Sequence, residues 1–440
     1  MKNFQIILLV VFGIFGALAA AFFSGAIKLP VKASQSPTGG ASGSVVMWGT
    51  IPKSKIQDTI DFFNKQAGGG GLTLRYIEKN PLNYEKDLLD SFAFGGTPDI
   101  FFLSNDLISL YSDKVIEIPY QGFTERMIAD TYIQAADVFK TEKGILGYPF
   151  LADPLIMFYN KDHFDSKGVT LPPKYWKEFS DLIPQLTEKN ELLEIKKSGV
   201  ALGEAKNIKN FKEILLAMNI QLGNKVVVRD YSKAVYTSVF SGKSLVSAKP
   251  AEETLRFFLE FSNPLKSVYS WNKSRPFSLT AFAGGELSIY FGFASEIPLV
   301  QKMNPNLNFD VANIPQVEGS GNVLTYSNVY ALAISKTTKN PQGSFYVAGQ
   351  LANGQLAAPF SLVSGLSPVR RDLLTSTSSL TKFSDIYYKS AIASRSWIDP
   401  SYEKTNEIFS SMIENVLSGL KDYSKSVGDT NTELKSLLAK

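Results

Sequence analysis

Two carboxylates, Asp106 and Asp153, stand just past or beside apolar runs that read as strands, where an open α/β sheet presents its ligand-binding groups. Carboxylates so placed accept hydrogen bonds from hydroxyl-rich ligands, and a facing pair could also act as acid and base on a glycosidic bond. Neither lies in a recognisable catalytic motif. Aromatic residues form 12% of the chain, and Trp48, Trp271, Phe291, Phe293 and Trp397 fall at strand ends or in loops. Flat rings suit sugar faces, because they offer an apolar surface edged by positions from which polar groups meet hydroxyls. Core packing accounts for most of these rings, and two or three are expected to touch ligand.

Other chemistries find little support. The chain has no cysteine, which removes disulfides, thiol nucleophiles, cysteine zinc sites, iron–sulfur clusters and a lipidated cysteine anchor. His163 is the only histidine, so a Ser-His-Asp triad or a multi-histidine metal site would have to be built on it alone. Its setting, Asn160-Lys161-Asp162-His163-Phe164, reads as a charged surface turn opening a helix. Ser241-Gly242-Lys243-Ser244 ends like a phosphate-binding loop, but Thr237 stands where that motif requires glycine. The run Gly68 to Gly71 has no Lys-Ser/Thr after it and reads as a turn between a helix and a strand. No metal or cofactor is expected. With 45 basic against 41 acidic residues and no long basic run, nucleic acid is not an expected partner.

The elements that must position these groups follow from length and patterning. A chain of 440 residues exceeds what one hydrophobic core organises, so two domains are expected. Residues 4–27 carry no charge, follow Lys2, and are long enough to cross a bilayer core of about 30 Å. They read as a membrane anchor or a signal peptide, and the apolar stretch exceeds the usual signal core of about 7–15 residues. The anchor reading places the remainder outside the cytoplasm. A Ser-, Gly- and Pro-rich linker follows at 30–43.

Beyond the linker, apolar runs alternate with helical patterns, as a mostly parallel α/β sheet requires. Strands are expected at 44–48, 72–77, 99–103, 154–159, 225–228, 287–291, 309–312 and 329–334. Ile56, Ile60 and Phe63 mark a first helix, and residues 83–94 a second. Near the C-terminus, Ile408, Met412, Val416 and Leu420 form one apolar stripe of a packed helix, with Phe409, Ile413 and Leu417 beside it.

Several stretches then resemble one family in order. Gly95-Gly96-Thr97-Pro98-Asp99-Ile100 comes first. Gly147-Tyr148-Pro149-Phe150 leads to Phe158-Tyr159-Asn160-Lys161-Asp162 and to Pro172-Pro173-Lys174-Tyr175-Trp176-Lys177-Glu178-Phe179, with Tyr175 where Thr is common. Ala281-Phe282-Ala283-Gly284-Gly285-Glu286-Leu287, Ile334-Ser335-Lys336-Thr337-Thr338-Lys339-Asn340-Pro341 and Gly365-Leu366-Ser367-Pro368-Val369-Arg370 complete the set. Together they resemble the maltose-binding-protein-like extracellular solute-binding proteins of bacterial ABC transporters, family 1.

The resemblance implies a type II periplasmic-binding-protein-like fold: two α/β lobes, each a mostly parallel sheet flanked by helices, with ligand in the cleft between them. The implied division is 44–150 and 326–362 in lobe 1, with 151–325 and the helical 363–440 in lobe 2. It also implies a non-enzymatic, extracytoplasmic monomer that binds a sugar or similar polar solute and hands it to an ABC permease; the alternatives are a receptor for a peptide, polyamine or phosphodiester, a glycan-processing enzyme, or a surface scaffold. Asp106 lies where such proteins carry a sugar-binding aspartate, and Asp153 where they carry another acidic group. Trp48, Trp271, Phe293 and Arg370 are the other expected ligand contacts. Leu103 stands where an aromatic is expected in the first loop, a departure from the maltodextrin-binding pattern.

Overall fold

The computed structural model describes residues 41–120, 124–230, 235–319, 323–375 and 382–439. The apolar segment 4–27 and all of the linker before residue 41 lie outside the described residues. Among the described residues no helix is long and apolar enough to cross a membrane.

The N-terminal βαβ unit follows the sequence pattern closely. Strand β1 (Gly43–Gly49), helix α1 (Lys53–Ala67) and strand β2 (Leu72–Glu78) come in that order. On α1, Ile56, Ile60, Phe63 and Ala67 are buried at spacings of four, three and four, one stripe of a helix of 3.6 residues per turn. Gly71 turns the chain into β2 with φ of 76°, the left-handed region that glycine enters without steric cost. β1 pairs in parallel with β2, placing Val45 beside Leu74, and with β3 (Ile100–Ser104), placing Met47 beside Ile100. Helix α2 (Tyr84–Phe94) joins β2 to β3.

Two long strands carry the chain between the halves of the molecule. Strand β4 runs from Tyr148 to Asn160, beginning well before the expected 154–159. Asp153 and Pro154 read as a strand boundary in the sequence, yet the strand is continuous because its partner changes there. Up to Pro154 it pairs with β8 (Thr325–Ile334), and from Leu155 onward with β6 (Leu287–Phe293). A proline is tolerated where the ladder switches partners, since no hydrogen bond from its nitrogen is needed there.

The sheet order is β2-β1-β3-β8-β4-β6-β5, with β5 spanning Ile195–Val200, and β7 (Phe309–Ala312) also pairs with β4. The sheet is mixed. Its flanks, β2-β1-β3 and β6-β5, are parallel, whereas β4 and β8 run antiparallel to each other and to β6 and β3, and β8 also pairs in parallel with Ser394–Arg395. Strands that pass directly from one half to the other arrive without a crossover helix, and antiparallel pairing is what such a connection allows.

Two hydrophobic cores form on either side of this crossing. Phe150, Leu151 and Ala152 belong to one, with Val45, Ile60, Phe101 and Val329; Leu155 to Phe158 belong to the other, with Phe179, Leu215, Phe282 and Phe409. The later segment 369–398 contributes to both: Val369 and Ile398 pack in the first, Tyr387 and Trp397 in the second.

The C-terminal helices α4 (Tyr402–Leu417) and α5 (Tyr423–Leu438) pack on each other and on the second core. The stripe on α4 is centred on Phe409, Met412 and Ile413, buried with Thr405, and the expected Ile408, Val416 and Leu417 are partly buried beside it against the second core. Helix α4 ends at Leu417 and leaves Leu420 exposed. The expected and observed stripes share Met412, so the helical period alone cannot choose between neighbouring phases.

Candidate functional site

A cavity of about 390 Å³ opens where the two cores meet. Its floor is the end of β3 and the turn after it, Ser104 to Leu107, together with Tyr326, Asn328 and Tyr330. These last three alternate along β8, so a period of two places them on one face of the strand. Tyr84 and Glu85 at the start of α2 form one wall, and Asp399 and Tyr402 at the start of α4 form another.

Asn105 ties these elements together. Its amide nitrogen donates to the Tyr326 hydroxyl at 3.2 Å and to the Trp397 carbonyl at 3.3 Å. Its amide oxygen accepts from Val329 N at 3.1 Å, and its backbone oxygen accepts from Asp399 N at 3.3 Å. One buried side chain therefore fixes strand β8 and the approach to α4 relative to β3. The Tyr326 hydroxyl donates onward to Asn328 Oδ1 at 2.9 Å.

Acidic groups gather around the opening. Burial raises the Asp106 carboxyl above its ordinary range, the nearby Asp399 adds to this, and a hydrogen bond from the Ser104 hydroxyl opposes it. Partial burial raises Glu85 as well, reinforced by Asp106, Glu403 and Asp399. Asp399 is held from beneath by Lys212, whose Nζ donates to it at 2.7 Å and to Thr405 Oγ1 at 3.0 Å. Among the described residues no group of three or more His, Cys, Asp or Glu is arranged to hold a metal ion.

The residues expected from sequence divide into two sets. Asp106 lines the cavity. Asp153 sits one strand away, paired in register with the lining residue Asn328. Phe293 ends β6 with its ring centroid 6.2 Å from that of Tyr326. Trp48 is the last residue but one of β1, two residues before the lining residue Thr50, and the Lys79 ammonium covers its ring at 3.7 Å. Trp271 and Arg370 lie elsewhere. Trp271 is fully buried in the second core with its indole N–H donating to Asn207 Oδ1 at 3.0 Å, and Arg370 pairs with Asp372 at 3.0 Å. His163 is half-buried at the start of a short helix, Lys161–Ser166, and hydrogen-bonds Ser288 at 2.9 Å; burial lowers its pKa.

Glu85, Asn105, Tyr326, Asn328, Tyr330, Asp399 and Tyr402 were not singled out by the sequence. The alternation Tyr326, Asn328, Tyr330 is the one signal that could have found some of them, once 325–334 is recognised as a single strand.

Asp153 has a distinct electrostatic setting. Both of its carboxylate oxygens are occupied by Ser295, whose backbone N–H donates at 3.0 Å and whose hydroxyl donates at 2.6 Å. Burial nevertheless dominates and pushes the carboxyl up to about 7. The folded protein then holds a proton that the unfolded chain releases above its ordinary value of 3.8. This contribution to stability is complete below that value and is lost as pH rises through about 7. Asp153→Asn removes the titration. Urea unfolding followed between about pH 4 and pH 7 should show the parent losing stability relative to the variant, by about 1.4 kcal/mol per pH unit at the steepest. Parallel pH profiles would contradict this setting for Asp153.

Comparison with known proteins accords with this architecture. The family model described as bacterial extracellular solute-binding protein matches residues 51–353. No curated protein matches in sequence. Among solved structures, the chain is similar to the GacH receptor of Streptomyces glaucescens, crystallised unliganded and with acarbose: TM-score 0.68 and 17% identity over 91% of this chain and 99% of that one. It is also similar to a cyclic alpha-maltosyl-1,6-maltose binding protein from Arthrobacter globiformis, with TM-score 0.73 and 15% identity over 90% and 99%. A third is UgpB from Mycobacterium tuberculosis in complex with glycerophosphocholine, with TM-score 0.69 and 14% identity over 90% and 99%. At these identities the likeness is one of fold. With the two cores, the crossing strands and a family match over most of its length, the chain belongs to the bacterial extracellular solute-binding proteins.

Proposed function

We propose that this protein is the extracytoplasmic substrate-binding component of an ABC importer, and that its ligand is a carbohydrate or similar polyol held in the cleft between two lobes. The lining of the cavity carries this reading. Tyr330 and Tyr402 offer rings and hydroxyls, while Asn328, Asp106 and Glu85 offer amide and carboxylate groups, with no Lys, Arg or His among the described lining residues. Such a set matches a neutral ligand rich in hydroxyls. It does not match a phosphodiester like the glycerophosphocholine bound by UgpB, whose phosphate would find no cation here.

The lobe division that fits this role is 44–150 with 326–362 against 151–325 with 363–440; the change of core along β4 between Ala152 and Leu155 supports its first boundary, while Val369 and Ile398 of the last segment pack in the first core. A ligand touching Asp106 on one side and Tyr402 or Asp399 on the other binds the closed form better and shifts the population toward it. A permease that reads the closed shape then receives loaded receptor. Residues 4–27 serve as the membrane anchor in this picture, and the receptor works as a monomer. In this reading the protein binds without catalysis, and Asp153, held through both oxygens by Ser295, is a structural group.

A thermal-unfolding screen against mono- and oligosaccharides, polyols, spermidine and glycerophosphocholine tests the reading. At about 100 times Kd a true ligand adds roughly 2.7 kcal/mol to stability. A rise in Tm confined to one sugar class is the expected result. A rise with spermidine alone would assign the acidic cleft to a cation and overturn the carbohydrate reading.

A further inference from the structure

The cleft changes character between its floor and its mouth. Ser104, Asp106, Asn328 and Tyr330 make the floor polar, whereas Pro81, Leu82 and the ring of Tyr402 present apolar surface at the mouth. Leu82 stands just before α2 on one wall, and Tyr402 opens α4 on the opposite wall. Leu82 is 92% exposed and Tyr402 46%. Among the described residues Leu82 packs into neither hydrophobic core, so folding gains almost nothing from an apolar side chain at this position.

Both sides of the mouth are held in place. Pro81 restricts the backbone at the start of the turn Pro81–Asn83, and the Asn80 side chain accepts from Leu82 N at 3.0 Å. Across the cleft, the Lys212 ammonium lies over the Tyr402 ring, 4.1 Å from its centroid, and is itself held by Asp399 at 2.7 Å. One face of the ring is thereby occupied, and its exposed part borders the cavity. Apolar groups that are rigid before binding lose little further freedom when a ligand covers them.

The hydroxyls of an outer sugar unit would meet the aliphatic side chains of Pro81 and Leu82, where a polar group loses hydration without gaining a hydrogen bond. An apolar group carries no such penalty there, and it takes Leu82 and the Tyr402 ring out of water together.

We propose that the ligand is a glycoside with an apolar aglycone, alkyl or aryl. Its sugar unit rests on the polar floor at Asp106, and its aglycone lies between Leu82 and Tyr402 at the mouth. This inference rests on the carbohydrate reading of the cleft given above. Because Leu82 and Tyr402 stand on opposite walls, an aglycone touching both adds to the preference for the closed form. Leu82 is then the residue that separates a glycoside from its free sugar.

Calorimetric titration of the full chain tests the proposal, using glucose, galactose and mannose, the phenyl and butyl glycosides of each, and the disaccharides maltose, lactose and mannobiose. The expected result is that a sugar binds and that its phenyl or butyl glycoside binds about tenfold more tightly, the gain from taking roughly 60 Å² of apolar surface out of water. The tighter of the two glycosides identifies the aglycone as aryl or alkyl. In Leu82→Ser this advantage should shrink about threefold or more, and Leu82→Met, which keeps an apolar side chain, should retain it. Position 82 lies in an exposed turn, so neither substitution puts folding at risk. Asp106→Ala should weaken free sugar and glycoside alike. A free sugar that binds as tightly as its glycosides, an advantage unchanged in Leu82→Ser, or a disaccharide tighter than either glycoside overturns the proposal and leaves the carbohydrate reading standing. Absence of binding by every sugar and glycoside overturns both.

Discussion

Replacing Lys212 by methionine should destabilise the protein by about 3–5 kcal/mol, the range for removing one partner of a buried ion pair. Lys212 is fully buried on helix α3 (Phe211–Gln221), and its ammonium lies 2.7 Å from Asp399, 3.7 Å from Glu213 and 4.1 Å from the centroid of the Tyr402 ring. Burial alone would lower its pKa; Asp399 and Glu213 outweigh that and hold it above the ordinary value. Methionine fills similar space without the charge, so the loss reports the two stranded carboxylates and not a void. The double variant Lys212→Met/Asp399→Asn should recover part of the stability, because it removes one of the stranded charges. Thermal unfolding of the two variants checks this. A loss below about 1 kcal/mol would mean that the cluster does not anchor the start of α4 as described.

Asp106→Ala should leave stability nearly unchanged and weaken ligand binding about 10- to 100-fold, the loss of a charged hydrogen bond of about 1.5–3 kcal/mol. Within the protein its carboxylate accepts from the Ser104 hydroxyl two residues away, and burial already works against its charge, so folding gains little from it. A ligand hydroxyl gains much more. Asp106→Asn, which keeps an acceptor but not the charge, should fall between the two. Calorimetric titration with the best sugar from the unfolding screen distinguishes these outcomes. Full affinity in Asp106→Ala would remove this end of β3 from the site.

The parts of the fold legible from sequence are those whose pattern is local. Ile56, Ile60 and Phe63 announce α1, and the short apolar runs at 44–48 and 72–77 announce the strands around it, because periodicity records which face is buried. The crossing strand β4 was only half legible. Its continuity through Asp153-Pro154 depends on which strand lies alongside, and that information is in β6 and β8 rather than in β4.

The site divides in the same way. Asp106 could be found because it follows an apolar strand in a family-like context. Asp399 and Tyr402 could not, because they reach the cleft only after the chain has crossed from one core to the other, where Asn105 holds the Asp399 backbone. Trp271 looks in sequence like any ring available to a sugar. It is a core residue because Asn207, far earlier in the chain, satisfies its N–H inside the second core. Arg370 meets its partner Asp372 only two residues on, and the close contact was readable in principle but competed with the family position.

The central claim is that two lobes close on a carbohydrate in the acidic, aromatic cleft. Small-angle X-ray scattering of the protein, recorded with and without a sugar at saturating concentration, tests it most directly. Closure predicts a smaller radius of gyration with sugar, and the same contraction of Asp106→Ala only at about 10- to 100-fold higher sugar concentration. A sugar that calorimetry shows to be bound while the radius of gyration stays the same would contradict hinge closure as the way this protein captures its ligand.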